Sequence, residues 1–222
     1  VVSVEKLAEE HFLIHTTDGD YEAKRVIWAA GTIAKLLNAK NEQEFVGRGI
    51  SYCAICDGSF HEKQDVVVIG GGNSALEEAL YLAKICNKVT IITRGHQFRA
   101  DKVLMEKARN NEKIVLIEHH ETISFDGSTL LEKVVIRDRD TGQITELSAR
   151  GAFIYIGFTP SSTILSNFDI LNDEKYIVVD QNCETKVKGL YAAGDCIEKQ
   201  VRQIATAVAD GISCASAIIK KF

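Results

Sequence analysis

Residues 65–94 read DVVVIGGGNSALEEALYLAKICNKVTIITR, and this stretch decides what kind of fold the chain adopts. Val66 to Ile69 form an apolar run without polar alternation, the pattern of a parallel strand covered on both faces. From Ser74 the period changes. Leu76, Ala79, Leu80 and Ala83 recur on one helical stripe, with Glu77, Glu78 and Lys84 off it. KVTIIT, residues 88–93, then returns to strand. The stretch reads as a βαβ unit with glycines at its first turn.

Each residue of that turn has a physical use. Gly70 permits a tight turn, and Gly72 lets the backbone approach a pyrophosphate. Ala75 is small enough for the helix to pack closely on the strand. The N–H groups at the helix start, around Asn73 and Ser74, would face the phosphates. A glycine turn of purely structural value is the alternative, but the strand before it and the helix after it favour a nucleotide. No acid stands at the end of the second strand to bind a ribose 2′-hydroxyl. Thr93-Arg94-Gly95-His96-Gln97-Phe98-Arg99 offers two arginines instead, Arg94 and Arg99, which suit a 2′-phosphate better than a solvated loop. NADPH is expected over NADH.

Upstream lies SYCAICDGSF, residues 51–60, with Cys53 and Cys56 two residues apart and Asp57 directly after them. The pair could be half of a metal site, an inert buried pair, or a disulfide that opens and closes. Structural zinc takes four ligands, usually from two such pairs or a pair plus spaced histidines. There is no second CxxC and His119-His120 are adjacent, so no metal site is expected. A redox dithiol needs a lowered thiol pKa and an acid or base nearby, and Asp57 can meet the second need. Between a two-electron hydride donor and a thiol pair, a flavin commonly mediates.

Composition narrows the class. The net charge of −5 is spread over mixed charges with no basic block, which argues against a nucleic-acid partner. The longest apolar runs are too short to span a bilayer, and no secretory signal opens the chain. Of six cysteines, one pair is close in sequence, unlike a secreted disulfide framework, so a cytoplasmic location is expected. Cys86, Cys183, Cys196 and Cys214 read as buried small hydrophobes.

Along the rest of the chain, 12–17 reads as a strand and 22–32 as a strand running into a glycine loop. The polar segment 38–49 reads as a connector at a domain crossing. Residues 101–111 read as a helix, 113–118 as a strand, and 133–147 as a hairpin about Asp140-Thr141-Gly142. Residues 152–160 read as one buried strand, with 176–180 and 189–195 as two more. The chain closes on a helix from Arg202, with Ile204, Ala207, Val208, Ile212 and Ala215 at helical spacing.

CAICDG, VVVIGGGNSALEEALYL, GLYAAGD and RQIATAVADG, in this order, resemble bacterial low-molecular-weight thioredoxin reductases. The resemblance implies an α/β fold of two Rossmann-like nucleotide-binding domains. An NADPH domain at 48–156, carrying the cysteine pair, would be inserted into an FAD domain formed by 1–47 and 157–222. It implies that Cys56 faces the flavin, Cys53 attacks the disulfide of thioredoxin, and Asp57 handles protons. Gly194 and Asp195 would reach the flavin ribityl chain, and Arg202, Gln203 and Ile204 would lie along its ring. A homodimer is implied as well. The family's phosphate-binding pattern, His-Arg-Arg-x-x-x-Arg, keeps two of its three arginines here, because Gly95 replaces one. No glycine turn for an FAD diphosphate precedes the cysteines, and the sole methionine is Met105. The expectation is therefore a chain lacking the first part of its FAD domain, which would bind flavin weakly. The readings outside this one are a non-catalytic nucleotide-binding or redox-sensing module, and a reductase of this family fed by another electron donor.

Overall fold

A computed structural model describes residues 1–221, and the chain divides into two compact units. The first combines Val1–Ala34 with the segment from Phe158 onward, and the second is Lys35–Gly157.

In the first unit, β1 (Ser3–Ala8), β2 (His11–Thr16) and β3 (Gly19–Ala23) form an antiparallel sheet, followed by β4 (Val26–Trp28) and β5 (Thr32–Ala34). The second unit opens with β6 (Ile50–Ser51) and the short helix α1 (Ala54–Asp57). Then come β7 (Asp65–Ile69), α2 (Asn73–Leu82), β8 (Lys88–Ile92), α3 (Lys102–Arg109) and β9 (Ile114–Ile117). β10 (His120–Gly127), β11 (Leu131–Asp138) and β12 (Ile144–Ser148) form an antiparallel sheet, and β13 (Gly151–Ile154) completes the unit. The chain returns to the first unit with β14 (Phe158–Pro160), β15 (Leu190–Ala192) and α4 (Ile204–Ile219).

The second unit is built on a parallel sheet in the order β6-β13-β7-β8-β9. The unbroken apolar run of β7 has its reason in two cores. Val66 and Val68 point into one formed with Leu76, Ala79 and Leu82 of α2. Val67 and Ile69 point into another formed with Phe125, Val134 and Ile136 of the β10–β12 sheet. A strand covered on both faces has no place for a polar residue. Strand order reverses at β7, with β8 and β9 on one side and β13 and β6 on the other. The crevice beyond the C-terminal ends of β7 and β13 is therefore a topological switch point, where open α/β sheets bind their ligands.

In the first unit, β4 and β15 pair in parallel and β5 and β14 antiparallel. Leu190 and Ala192 of β15 pack with Phe12, Leu165 and Ile177, while Tyr191 and Ala193 pack with Cys183 and Cys214 of the α4 side. The chain is α/β, with one unit inserted in the other.

Several sequence expectations are revised. Residues 35–47 pack with the second unit: Phe45 is buried with Ile50 and Val67, Glu42 accepts the Leu37 N–H at 3.0 Å, and Asn41 donates to the Phe125 carbonyl at 3.1 Å. Polar side chains of 38–49 anchor the segment, Glu42 to the backbone just before it and Asn41 to Phe125 of β10. Residues 152–160 are two strands, because Gly157 turns the chain at φ +100°. Residues 176–180 form isolated bridges through Ile177 in place of a strand. α4 forms, but Ile204, Val208 and Ile212 lie on its exposed side and Cys214 on its buried side. No helix among the described residues is long and apolar enough to cross a membrane.

Candidate functional site

Four loops meet at the C-terminal edge of the parallel sheet. β6 leads into the cysteine pair, β13 into Tyr155, β7 into the glycine turn and β8 into Thr93-Arg94. Cys53 and Cys56 are joined as a disulfide across α1. Cys53 sits at the helix N-cap, where its Sγ accepts the Cys56 N–H at 3.2 Å. That bond and the helix start favour negative charge on Cys53 once the pair is reduced. Cys56 is exposed and Cys53 half-buried. Asp57 lies one residue on, and its Oδ2 accepts a 2.6 Å hydrogen bond from the Ser51 hydroxyl. The same hydroxyl oxygen accepts the Cys53 N–H at 3.1 Å, so one side chain fixes both the acid and the cysteine.

The glycine turn separates its tasks by residue. A Cβ on Gly70 would lie 2.3 Å from the Tyr155 carbonyl oxygen, and its φ of +153° also favours glycine. A Cβ on Gly71 would lie 2.5 Å from Thr93 Oγ1. A Cβ on Gly72 would meet nothing within 4 Å among the described residues. Gly72 is the N-cap of α2 and supplies no side-chain cap, so the first N–H groups of the helix, at Asn73 and Ser74, open on that space. Ala75 is buried against Gly70. The Arg99 N–H donates to the Gly71 carbonyl at 2.6 Å and folds the loop after β8 back onto the turn, with Arg94 and Arg99 exposed on it. An open glycine-lined cradle at a helix start, with two exposed arginines on the loop folded against it, fits a phosphorylated dinucleotide.

In the first unit the predicted flavin residues form a separate cluster. Arg202 lies over the Tyr176 ring at 4.0 Å and donates to the carbonyls of Asp195 at 3.3 Å and Ile197 at 3.4 Å. The Gly194 N–H donates to Asp210, which also takes the Lys199 ammonium at 2.7 Å. Asp195 Oδ1 is buried with no hydrogen-bond partner among the described residues, since Lys199 Nζ stays 3.7 Å away. A buried, unmatched carboxylate oxygen fits a hydroxyl-bearing ligand such as the ribityl chain of a flavin. Gln203 donates its N–H to Thr206 at the start of α4, and Ile204 beside it is 86 % exposed.

Residues 1–211 match the family model described as pyridine nucleotide-disulphide oxidoreductase. The chain belongs to that family. It is 41 % identical over 205 residues to the bifunctional thioredoxin reductase/thioredoxin of Mycobacterium leprae, an alignment covering 91 % of this chain and 44 % of that protein. It is 40 % identical over 216 residues to the thioredoxin reductase of Bacillus subtilis, covering 95 % of this chain and 67 % of that one. The crystal structure of thioredoxin reductase from Streptococcus pyogenes MGAS5005 matches with a TM-score of 0.93 at 36 % identity, over 100 % of this chain and 74 % of that one. This chain thus spans from under half to two thirds of these two relatives' length.

Three groups around the Cys53–Cys56 disulfide lie outside the residues expected from the sequence. Ser51 bonds Asp57, as above. The Tyr155 hydroxyl accepts the Ala54 N–H at 2.7 Å. Burial raises its phenol pKa, the Ala54 bond offsets part of that, and the charges of Glu78 and Asp57 add to it. Glu78 itself has a buried Oε2 without a partner among the described residues, and burial followed by the charge of Glu77 raises its carboxyl. Ser51 and Tyr155 stand in no spacing pattern, and the place of Glu78 off the helical stripe gives no sign of its buried Oε2. Burial pushes the Cys86 and Cys214 thiols up to about 11 and raises those of Cys183 and Cys196 as well. All four are buried and free.

Proposed function

We propose that this chain carries the dithiol and the nucleotide cradle of a thioredoxin-disulfide reductase that draws electrons from NADPH through FAD. The observation that carries the reading is the Cys53–Cys56 disulfide at the same sheet edge as the Gly70–Ala75 turn. Its relatives, which are thioredoxin reductases, support thioredoxin as the acceptor. On this reading the 35–157 unit holds NADPH through Gly70, Gly72, Asn73, Ser74, Arg94 and Arg99. The other unit holds FAD through Gly194, Asp195, Arg202, Gln203 and Ile204. FAD, when bound, supplies the relay that splits a hydride into electrons a disulfide can accept.

The residues of this chain then perform the exchange. Reduced Cys53, its thiolate favoured by the Cys56 N–H, attacks one sulfur of the thioredoxin disulfide. A mixed disulfide forms as the other thioredoxin sulfur leaves as a thiolate. Cys56 attacks Cys53 Sγ, the second thioredoxin sulfur leaves, and the Cys53–Cys56 bond is restored. Asp57, fixed by Ser51, holds and returns the proton of Cys56. The resemblance also supports a cytoplasmic homodimer.

The test is to saturate the protein with FAD, add NADPH without oxygen, and follow the flavin absorbance and the thiols released from oxidised thioredoxin. Bleaching with thiol release is expected. Bleaching without thiol release overturns the assigned acceptor. A flavin that NADPH fails to bleach favours another electron donor, the reading that Gly95 in place of an arginine supports.

A further inference from the structure

His96, His119 and Asp140 lie far apart in sequence, yet the fold brings them together on the second unit. His96 comes from the loop after β8, His119 from the link between β9 and β10, and Asp140 from the β11–β12 hairpin. Backbone bonds fix all three segments. The His119 N–H donates to the Gly95 carbonyl at 2.9 Å, and the Arg139 N–H donates to the His119 carbonyl at 3.0 Å. The Arg139 guanidinium bonds the Arg94 carbonyl at 2.9 Å, and the Asp140 N–H bonds Asp138 Oδ1 at 2.8 Å. The two imidazole rings stack with centroids 3.7 Å apart and planes 14° from parallel. His119 Nε2 stands 3.0 Å from Asp140 Oδ1.

We propose that His96, His119 and Asp140 form a binding site for a divalent transition-metal ion of the zinc class. One ligand atom from each of the three lies within 4.8 Å of the others. Bonds of about 2.1 Å in a tetrahedral site put ligand atoms roughly 3.4 Å apart. The His119–Asp140 pair comes within about 0.4 Å of that distance, and His96, exposed, reaches the ion by rotating out of the ring stack, so that its in-plane nitrogen lone pair points at the metal. Two imidazoles and one carboxylate select zinc, cobalt or nickel over magnesium or calcium, which take all-oxygen sites. Three protein ligands leave the remaining coordination to water, and His96 and Asp140 keep the site open to solvent. His96 lies between Arg94 and Arg99, so a bound ion would also fix the loop that carries both arginines. The metal site itself does not depend on the proposed electron donor.

The test is a cobalt(II) titration of the full chain without an affinity tag, with Cys53–Cys56 kept oxidised so that no thiolate of that pair competes. The expected result is one saturable equivalent with a visible d–d spectrum, displaced by one equivalent of zinc. His96→Ala and Asp140→Ala, both at exposed positions, should keep the parent circular dichroism and each weaken cobalt binding at least tenfold. Binding that these substitutions leave unchanged, or no saturable spectrum at millimolar cobalt, would overturn the site.

Discussion

The hydroxyl of Tyr155, just past the end of β13, accepts a 2.7 Å hydrogen bond from the N–H of Ala54, the residue after Cys53. One phenol thus ties the central sheet to the helix of the disulfide. Tyr155→Phe leaves the N–H of the fully buried Ala54 unpaired, which costs about 1–3 kcal/mol. A urea midpoint lowered to that extent, with faster dithiothreitol reduction of Cys53–Cys56, is the expected outcome. An unchanged midpoint would remove Tyr155 from this role.

Gly70 and Gly72 should respond oppositely to a methyl group. Gly70→Ala drives Cβ onto the Tyr155 carbonyl at 2.3 Å in a backbone conformation that side chains avoid. It should cost roughly 3 kcal/mol or more of stability. Gly72→Ala meets nothing within 4 Å among the described residues, so its stability should change by less than about 0.5 kcal/mol. Calorimetry should nonetheless find its affinity for NADPH at least tenfold weaker.

The two redox cysteines separate by trapping. With Cys56→Ser, Cys53 should attack oxidised thioredoxin and hold it as a mixed disulfide, visible by mass spectrometry. Cys53→Ser should trap little, although Cys56 is the more exposed sulfur. The reverse pattern would exchange the two assignments.

Alkaline stability follows from the buried thiols. The ordinary pKa of Cys86 and Cys214 is 9.0, and burial pushes both up to about 11. A raised folded-state pKa contributes stability that is complete below pH 9 and lost as pH rises to 11, because the unfolded thiols ionise first. Each thiol contributes at most about 1.4 kcal/mol per pH unit to that loss. Denaturation curves at pH 8 and 10.5 should show it, and Cys86→Ala should flatten the fall.

Legibility in the sequence depended on how local each cause was. The βαβ unit was readable because β7 buries alternate residues in two cores, which leaves an unbroken apolar run. The glycine turn was readable because its demands fall on consecutive residues. The break within 152–160 escapes the local pattern, since a φ of +100° at Gly157 leaves no mark beyond the glycine itself, although the family resemblance sets a domain boundary there. Residues 38–49 read as a connector because the bond that anchors them runs from Asn41 to Phe125, far along the chain. Helical spacing predicted α4 correctly but not which side would be buried, since Ile204, Val208 and Ile212 stay exposed and Cys214 does not. Ser51 and Tyr155 serve the disulfide through contacts that the fold alone creates.

The sheet order also sets a sequence of events during synthesis. β13, the last strand of its unit, lies between β6 and β7, two of the earliest. Until residue 154 leaves the ribosome, the edge of β7 that β13 will cover has no mate. At about 5–20 residues per second, the chain from Ile69 to Ile154 takes roughly 4 to 17 s to make. For that interval one edge of an apolar strand stands unpaired in the nascent chain, a template for other chains and a natural ligand for chaperones.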